Sequence, residues 1–226
     1  PIIVSFIYFQ ILSWLFLLFD WQKSVIDIRE QFPLNPEITI DIAKRLGIKH
    51  PAYNGVIQVM TTDLLVDFNL NGQHSTQAVS VKYSQDLEDE RTIEKLELER
   101  RFWEKEDIEW FVFTEHEVPV ICVKNIRWLA PHIHSYDLDE SERTRVFENI
   151  LHVLDAAPEE KISVLLSQLD RQQGLELGSN LQYFRHLAAQ SAFQWDMQSY
   201  LHSSLKAKDV TPSVYWLKKD VEYVHA

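Results

Sequence analysis

Two short stretches carry the side chains whose types and spacing could do chemistry. Asp63 lies near the start of an apolar run, and a Ser80-Val81-Lys82 triplet follows after an Asn-Gly turn. Residues two apart in a strand share a face, so Ser80 and Lys82 should point the same way. If the two stretches pair as a twisted hairpin, the Lys82 amine can approach the Asp63 carboxylate.

The chemistry that suits such a set is hydrolysis of a phosphodiester, which adds negative charge to a group that is already anionic. A carboxylate supplies the hard oxygen ligand that Mg²⁺ requires. The cation polarises the phosphoryl oxygen and lowers the pKa of the attacking water, and a lysine beside it neutralises developing charge. The pattern therefore predicts a metal-dependent nuclease. On spacing alone, a hairpin with solvated polar ends explains the same residues.

The elements that must position these residues are two strands joined by a tight turn. The first is predicted over Asp63–Leu70 and the second over Gln77–Tyr83. Asn71-Gly72 stands between them, and both residue types tolerate the positive φ of a hairpin turn. We therefore expect Asp63 and Lys82 to meet on a shared concave face.

Composition limits the class of protein. The 226 residues, 46% of them hydrophobic, suffice for two modest domains with a sizeable core. The net charge of −12 argues against binding DNA through a basic surface alone, so a nucleic-acid enzyme of this charge needs metal ions and a partner. The lone Cys122 excludes an internal disulfide and predicts a cytoplasmic protein. His132 and His134 are close, but two histidines alone are more often surface residues than a zinc site.

The first nineteen residues carry no charge, and their length would allow them to cross a bilayer, which needs roughly twenty apolar residues. No basic residue precedes them and no basic cluster follows them, unlike a secretory signal or an anchored span. Ser5, Gln10 and Ser13 interrupt the run, and Asp20 closes it. These features favour a core helix, with a membrane anchor as the alternative.

The rest of the first half alternates strands and helices, which is typical of an α/β unit with a mixed sheet. The predicted elements are a strand at Val25–Ile28 closing on Pro33, a helix over Pro36–Leu46 stopped by Gly47, a polar loop over His50–Met60, a helix over Leu87–Lys105 and a strand over Ile108–Thr114.

The pattern changes at Glu115–Pro119, where we place a domain boundary. The predicted elements beyond it are helices over Ser141–Asp155, Pro158–Gln173 and Ser179–Ala192, then short strands at Phe193–Met197 and Val214–Trp216. This is the order of a winged helix, and a helical bundle without a nucleic-acid role explains it equally well. The domains are predicted as 1–117, 118–205 and a partner-binding tail over 206–226.

Several runs resemble the TnsA family, the end-cutting endonuclease subunits of heteromeric transposases. The matching runs are DIREQFPL (27–34), GIKHP (47–51), VMTTDLLVD (59–67), VK (81–82), DERTIEKLELERRFWE (89–104), WFVFTEHE (110–117) and NIRWL (125–129), with a later LELG (175–178). They stand in the family's order and at its spacing. The resemblance is strong from Trp21 to Leu129 and thinner beyond.

This resemblance implies a restriction-endonuclease-like fold, a mixed α/β sheet with flanking helices, followed by a winged-helix domain. It implies Mg²⁺-dependent cleavage of transposon-end DNA at the 5′ ends. A TnsB-type transposase would cut and join the 3′ ends, and a TnsC-type ATPase would contact the C-terminal region. No membrane partner is implied.

Position by position, Asp63 falls on the family's central metal-binding aspartate and Lys82 on its catalytic lysine. Ser80 falls where the family has an acidic or amide ligand, and Glu99 falls on an acidic residue of the long helix near the site. The resemblance therefore implies Asp63, Lys82 and Ser80 as catalytic residues and Asp63, Ser80 and Glu99 as metal ligands.

The same comparison exposes two departures from the family. Its first catalytic glutamate should fall at Leu12, and Gln22 likewise replaces a carboxylate. Each lost carboxylate removes both charge and coordination from a metal site. Three hypotheses account for this: the nuclease is impaired and kept as a structural subunit, Glu30 or Glu99 takes over as ligand, or the first dozen residues do not represent the native start.

Overall fold

The predicted hairpin forms in this computed structural model and lies at the centre of a four-stranded sheet. β4 (Thr61–Leu70) and β5 (Gln73–Val81) pair antiparallel up to the turn, which is why the second strand starts earlier than predicted. Asn71 and Gly72 have φ values of 54° and 84°. Both residue types accept this left-handed conformation more readily than others, so the turn sets the register.

The structure describes residues 2–213, with side chains from residue 8 onward, and divides into unit 1, Pro1–Val118, and unit 2, Pro119–Ala226. Besides the two hairpin strands, the elements of unit 1 are α1 (Ile2–Asp20), β1 (Val25–Pro33), α2 (Pro36–Leu46), β2 (Ala52–Tyr53), β3 (Val56–Ile57), α3 (Glu90–Lys105) and β6 (Glu109–Phe113).

The main sheet of unit 1 has the strand order β1-β4-β5-β6. β1 and β5 each pair antiparallel with β4, whereas β6 pairs parallel with β5. Parallel neighbours need a long crossover connection, and α3 supplies it between β5 and β6. The predicted mixed sheet with flanking helices is therefore confirmed.

Helices cover this sheet. Leu65 and Ala78 of the hairpin pack with Phe102 of α3 in one buried cluster. α1 packs against β1 and β5, and it buries the apolar side chains of Ile11, Leu12 and Leu15. For residues 11–15 this burial supports the core-helix interpretation. Among the residues that the structure describes, no helix combines the length and apolarity needed to cross a bilayer.

The start of α3 and the structure of one loop in unit 1 also differ from expectation. α3 begins at Glu90 because Asp89 accepts a hydrogen bond from the Thr92 amide at 2.8 Å and caps the helix. The stretch 50–60, predicted as a loop, contains the paired strands β2 and β3. Asn54 and Gly55 both have positive φ at their turn, a second Asn-Gly hairpin signal that the loop assignment overlooked.

Unit 2 is mainly helical, and its described part ends in a strand pair. Its elements are α4 (Val120–Leu129), α5 (Glu140–Ala156), α6 (Ile162–Gln173), α7 (Ser179–Ala189), β7 (Phe193–Gln194) and β8 (Thr211–Pro212). β7 and β8 pair antiparallel. The sequence did not predict α4, and the strand expected at Val214–Trp216 lies outside the described residues. The winged-helix assignment stays a prediction.

One buried carboxyl group holds the turn between α6 and α7. Asp170 is fully buried and accepts hydrogen bonds from the Gly178 amide at 2.7 Å and the Asn180 amide at 2.8 Å. The side-chain amide of Asn180 also donates to it, at 2.7 Å. These bonds satisfy backbone donors at the start of α7, where a helix has no partners of its own.

Candidate active site

Asp63 and Lys82 lie together at one end of the hairpin. Strand pairing stops at Leu64 and Val79, and beyond it the Oδ2 atom of Asp63 accepts a hydrogen bond from the Val81 amide at 2.6 Å. The Lys82 Nζ lies 3.4 Å from the same oxygen and donates to the Val81 carbonyl at 2.8 Å. The structure thus brings together the carboxylate and the amine that the sequence paired, with Asp63 only 6% exposed.

Two side chains that the sequence analysis missed bind the other oxygen of Asp63. The Tyr8 hydroxyl of α1 donates to Oδ1 at 2.6 Å, and the Gln31 side-chain amide of β1 donates to it at 3.1 Å. Gln31 has a φ of 49°, and its Oε1 accepts a hydrogen bond from the Thr61 hydroxyl at 3.1 Å. Tyr8 and Gln31 are 55 and 32 positions from Asp63, so no local pattern connects them to it.

Tyr8 is held as a neutral donor. Burial raises the pKa of Tyr8 well above its usual range, and the hydrogen bond to Asp63 is the next largest cause of this rise. The Lys82 Nζ lies 6.0 Å from the centre of the Tyr8 ring, within reach of a cation–π contact. The phenol therefore keeps its proton and remains a hydrogen-bond donor to Asp63.

Glu99 of α3 is bound to the two hairpin strands through side-chain hydroxyls. Its Oε1 accepts hydrogen bonds from Thr62 at 2.7 Å and from Ser80 at 2.5 Å, and the Trp103 indole donates to Thr62 at 2.6 Å. Glu99 is 4% exposed, and this burial raises the pKa of its carboxyl group. Glu99 therefore connects β4 to β5 beside Asp63 through these two hydrogen bonds. Its burial favours the neutral acid over the carboxylate.

The remaining candidate positions do not bind Asp63. Leu12, where the resemblance expects a glutamate, is buried at 8% exposure, one turn along the same face of α1 as Tyr8. Gln22 is exposed and donates to the Leu18 carbonyl. Glu30 is exposed on β1, and none of the hydrogen bonds to the Asp63 carboxylate comes from it.

Asp63 is the candidate ligand at this end of the hairpin, and its two oxygens accept four hydrogen bonds in this structure. Mg²⁺ is commonly held by one or two protein carboxylates while water and substrate phosphate complete its coordination. Asp63 supplies such a carboxylate. The Lys82 amine donates both to this carboxylate and to the Val81 carbonyl. Within residues 8–213 no group of three or more His, Cys, Asp or Glu side chains could hold a metal ion. His132 and His134 therefore lack the further described ligands that zinc requires.

Two family models match most of the chain. One, described as TnsA-like endonuclease N terminal, matches residues 22–115, and the other, described as TnsA endonuclease C terminal, matches residues 117–197. The chain is 39% identical over 211 residues to the transposon Tn7 transposition protein TnsA of Escherichia coli, a match that covers 92% of this chain and 75% of that protein. The hairpin and α3 lie inside the first matched range, whereas α1 precedes it.

Proposed function

This chain belongs to the TnsA endonuclease family, and we propose from that premise that unit 1 is a Mg²⁺-dependent endonuclease that cuts the 5′ ends of a transposon. One observation carries the proposal. The Asp63 carboxylate lies 3.4 Å from the Lys82 amine and 2.6 Å from the Val81 amide, at one end of the central hairpin.

The contacts of each side chain suggest its role. Asp63 would hold the cation, which would polarise the phosphoryl oxygen of the substrate and make a bound water more acidic. Lys82 is held between Asp63 and the Val81 carbonyl, and a phosphate bound beside Asp63 would have its developing charge stabilised by this amine. Ser80 directs its hydrogen at Glu99, which leaves only an oxygen lone pair to offer a cation.

We propose that partners supply most of the DNA affinity. The net charge of −12 opposes contact with phosphate, so a TnsB-type transposase bound to the transposon ends would bring the site to its substrate. The relative from Escherichia coli is named as a transposition protein, which is consistent with action in such an assembly. The tail predicted over 206–226 is the proposed contact for a TnsC-type ATPase, although its first part pairs within unit 2 as β8.

We propose that unit 2 is a winged helix that contributes more to contacts with proteins than to recognition of DNA bases. In a helix-turn-helix arrangement α7 would enter the DNA groove. Six of its eleven residues are buried. Its arginine, Arg185, donates to the Trp128 carbonyl at 2.6 Å and lies 5.0 Å over the Trp128 ring. Its exposed Gln182 accepts a hydrogen bond from Tyr136. Burial and these contacts leave α7 little surface for bases.

Asp63→Ala and Lys82→Ala test the nuclease proposal in a complex of the full chain with its TnsB-type transposase and transposon-end DNA. Each substitution should lower 5′-end cleavage by at least about 100-fold, because it removes either the carboxylate for the cation or the amine that stabilises developing charge. Assembly on DNA, measured by gel shift, should be retained because both side chains lie within unit 1 at the catalytic end of the hairpin.

Asp41→Ala and Lys44→Ala are matched controls, because both side chains are exposed on α2. They should cleave like the parent chain. Cleavage at the parent rate by either Asp63→Ala or Lys82→Ala would contradict the assignment.

A catalytically impaired subunit that bridges the transposase and the ATPase is the second candidate. It is favoured by the buried, apolar Leu12 at a position where the family has a carboxylate, and by the burial of Glu99, which raises the pKa of its carboxyl group. A Mn²⁺ titration separates the candidates. A saturable site that Asp63→Asn abolishes supports the nuclease, whereas intact assembly without any saturable site supports the bridging subunit.

A further inference from the structure

Donors from the described residues occupy the whole Asp63 carboxylate. Oδ1 accepts from Tyr8 at 2.6 Å and from Gln31 at 3.1 Å, and Oδ2 accepts from the Val81 amide at 2.6 Å and from Lys82 at 3.4 Å. A carboxylate offers about four acceptor positions. A cation can therefore bind Asp63 only where one of these donors leaves.

Tyr8 is the donor best placed to leave. The Val81 amide belongs to the backbone of β5, and Lys82 is held by the Val81 carbonyl as well. Gln31 is anchored on its far side by the Thr61 hydroxyl. Tyr8 comes from α1, which is not a strand of the sheet, so its hydroxyl can withdraw without breaking a ladder hydrogen bond, at the loss of a long contact of 3.4 Å from the Gln31 amide.

We propose that Tyr8 is a cap on Asp63, whose hydroxyl occupies the acceptor position that a divalent cation needs. The resting chain is then a weak cation binder, and displacement of Tyr8 loads the site. This inference rests on the proposed cation site at Asp63. The rival role for Tyr8 is to orient Asp63 for the cation, and the two roles predict opposite changes in cation affinity when the hydroxyl is removed.

The test titrates Mn²⁺ by calorimetry into the full chain and into Tyr8→Phe, which keeps the ring and removes only the hydroxyl. The cap predicts tighter Mn²⁺ binding by Tyr8→Phe, by about tenfold, the scale of one hydrogen bond to a charged group. Tyr53→Phe is the matched control, because Tyr53 is 71% exposed in β2, and it should bind Mn²⁺ like the parent chain.

Amide hydrogen exchange in α1 reports whether Tyr8 has left Asp63. Exchange in residues 2–12 should rise when Mn²⁺ is added to the parent chain, and it should already be raised in Tyr8→Phe without the cation. Equal or weaker Mn²⁺ binding by Tyr8→Phe, at a site that Asp63→Asn abolishes, overturns the cap and leaves the nuclease site standing. Absence of an Asp63-dependent site in every variant overturns both proposals.

Discussion

Glu99 carries a carboxyl group whose charged form the fold disfavours. Burial raises its pKa, and hydrogen bonds from Ser80 and Thr62 only partly oppose that rise. In the unfolded chain the pKa returns to its ordinary value of 4.5. Above that pH the unfolded state loses this proton before the native state does, so the contribution of Glu99 to stability is present at low pH and is lost as pH rises.

Glu99→Gln should therefore stabilise the chain increasingly as pH rises. The amide keeps an oxygen that accepts from Thr62 and Ser80, but it cannot ionise. Urea unfolding of variant and parent should give similar free energies of unfolding at pH 4.5 and diverge in favour of the variant above it. Glu88→Gln, at an exposed glutamate, is the control and should show no such divergence. A difference that does not vary with pH would contradict the argument.

The site residues that the sequence predicted are those that a short-range pattern connects. Strand alternation and one Asn-Gly turn are enough to place Asp63 and Lys82 side by side. Tyr8 and Gln31 were missed because the packing of α1 and a positive φ in β1 bring them to Asp63, and neither leaves a periodic trace. The one available signal was that Gln31 lies within the DIREQFPL run.

At the scale of elements, the link between α6 and α7 depends on Asp170. Asp170→Ala should lower the free energy of unfolding by about 3 kcal/mol, because three buried or partly buried donors lose their acceptor. Urea unfolding measures the loss. Asp155→Ala, at an exposed position near the end of α5, is the control and should stay within about 0.5 kcal/mol of the parent. A comparable loss in both variants would contradict this role.

Helices were predicted where apolar residues recur at helical spacing. The residues at which these helices begin and end depend instead on individual hydrogen bonds and turn conformations. α2 ends as predicted, because Gly47 adopts a φ of 68° there. α6 starts at Ile162 and not at Pro158, because residues 158–162 bond to a distant segment: the Lys208 amide donates to the Pro158 carbonyl and the Ile162 amide to the Leu205 carbonyl. Such non-local bonds have no counterpart in helical periodicity.

For the molecule as a whole, acidity is concentrated in the proposed catalytic unit. Residues 1–118 contain 11 Lys and Arg against 20 Asp and Glu. Each phosphate neutralised by a basic side chain steepens the salt dependence of DNA binding. We therefore expect the chain alone to bind a duplex weakly, with a slope of log affinity against log salt no steeper than about −2.

Fluorescence anisotropy with a labelled transposon-end duplex, between about 50 and 200 mM salt, measures this slope. Addition of the TnsB-type transposase should strengthen binding and steepen the slope, because its basic surface would then contribute. A steep slope for the chain alone would mean that it carries a DNA-binding surface of its own.

The proposed catalytic pair is attached to the inner strands of the sheet, since β1 and β6 form its outer strands. Asp63 lies on β4 and Lys82 directly follows β5, where the Asp63 carboxylate accepts from the Val81 amide at 2.6 Å. Fraying of an outer strand begins at its open side and leaves the contact between the hairpin strands intact. The alignment of carboxylate and amine should then survive partial melting and vanish only with cooperative collapse of the whole sheet.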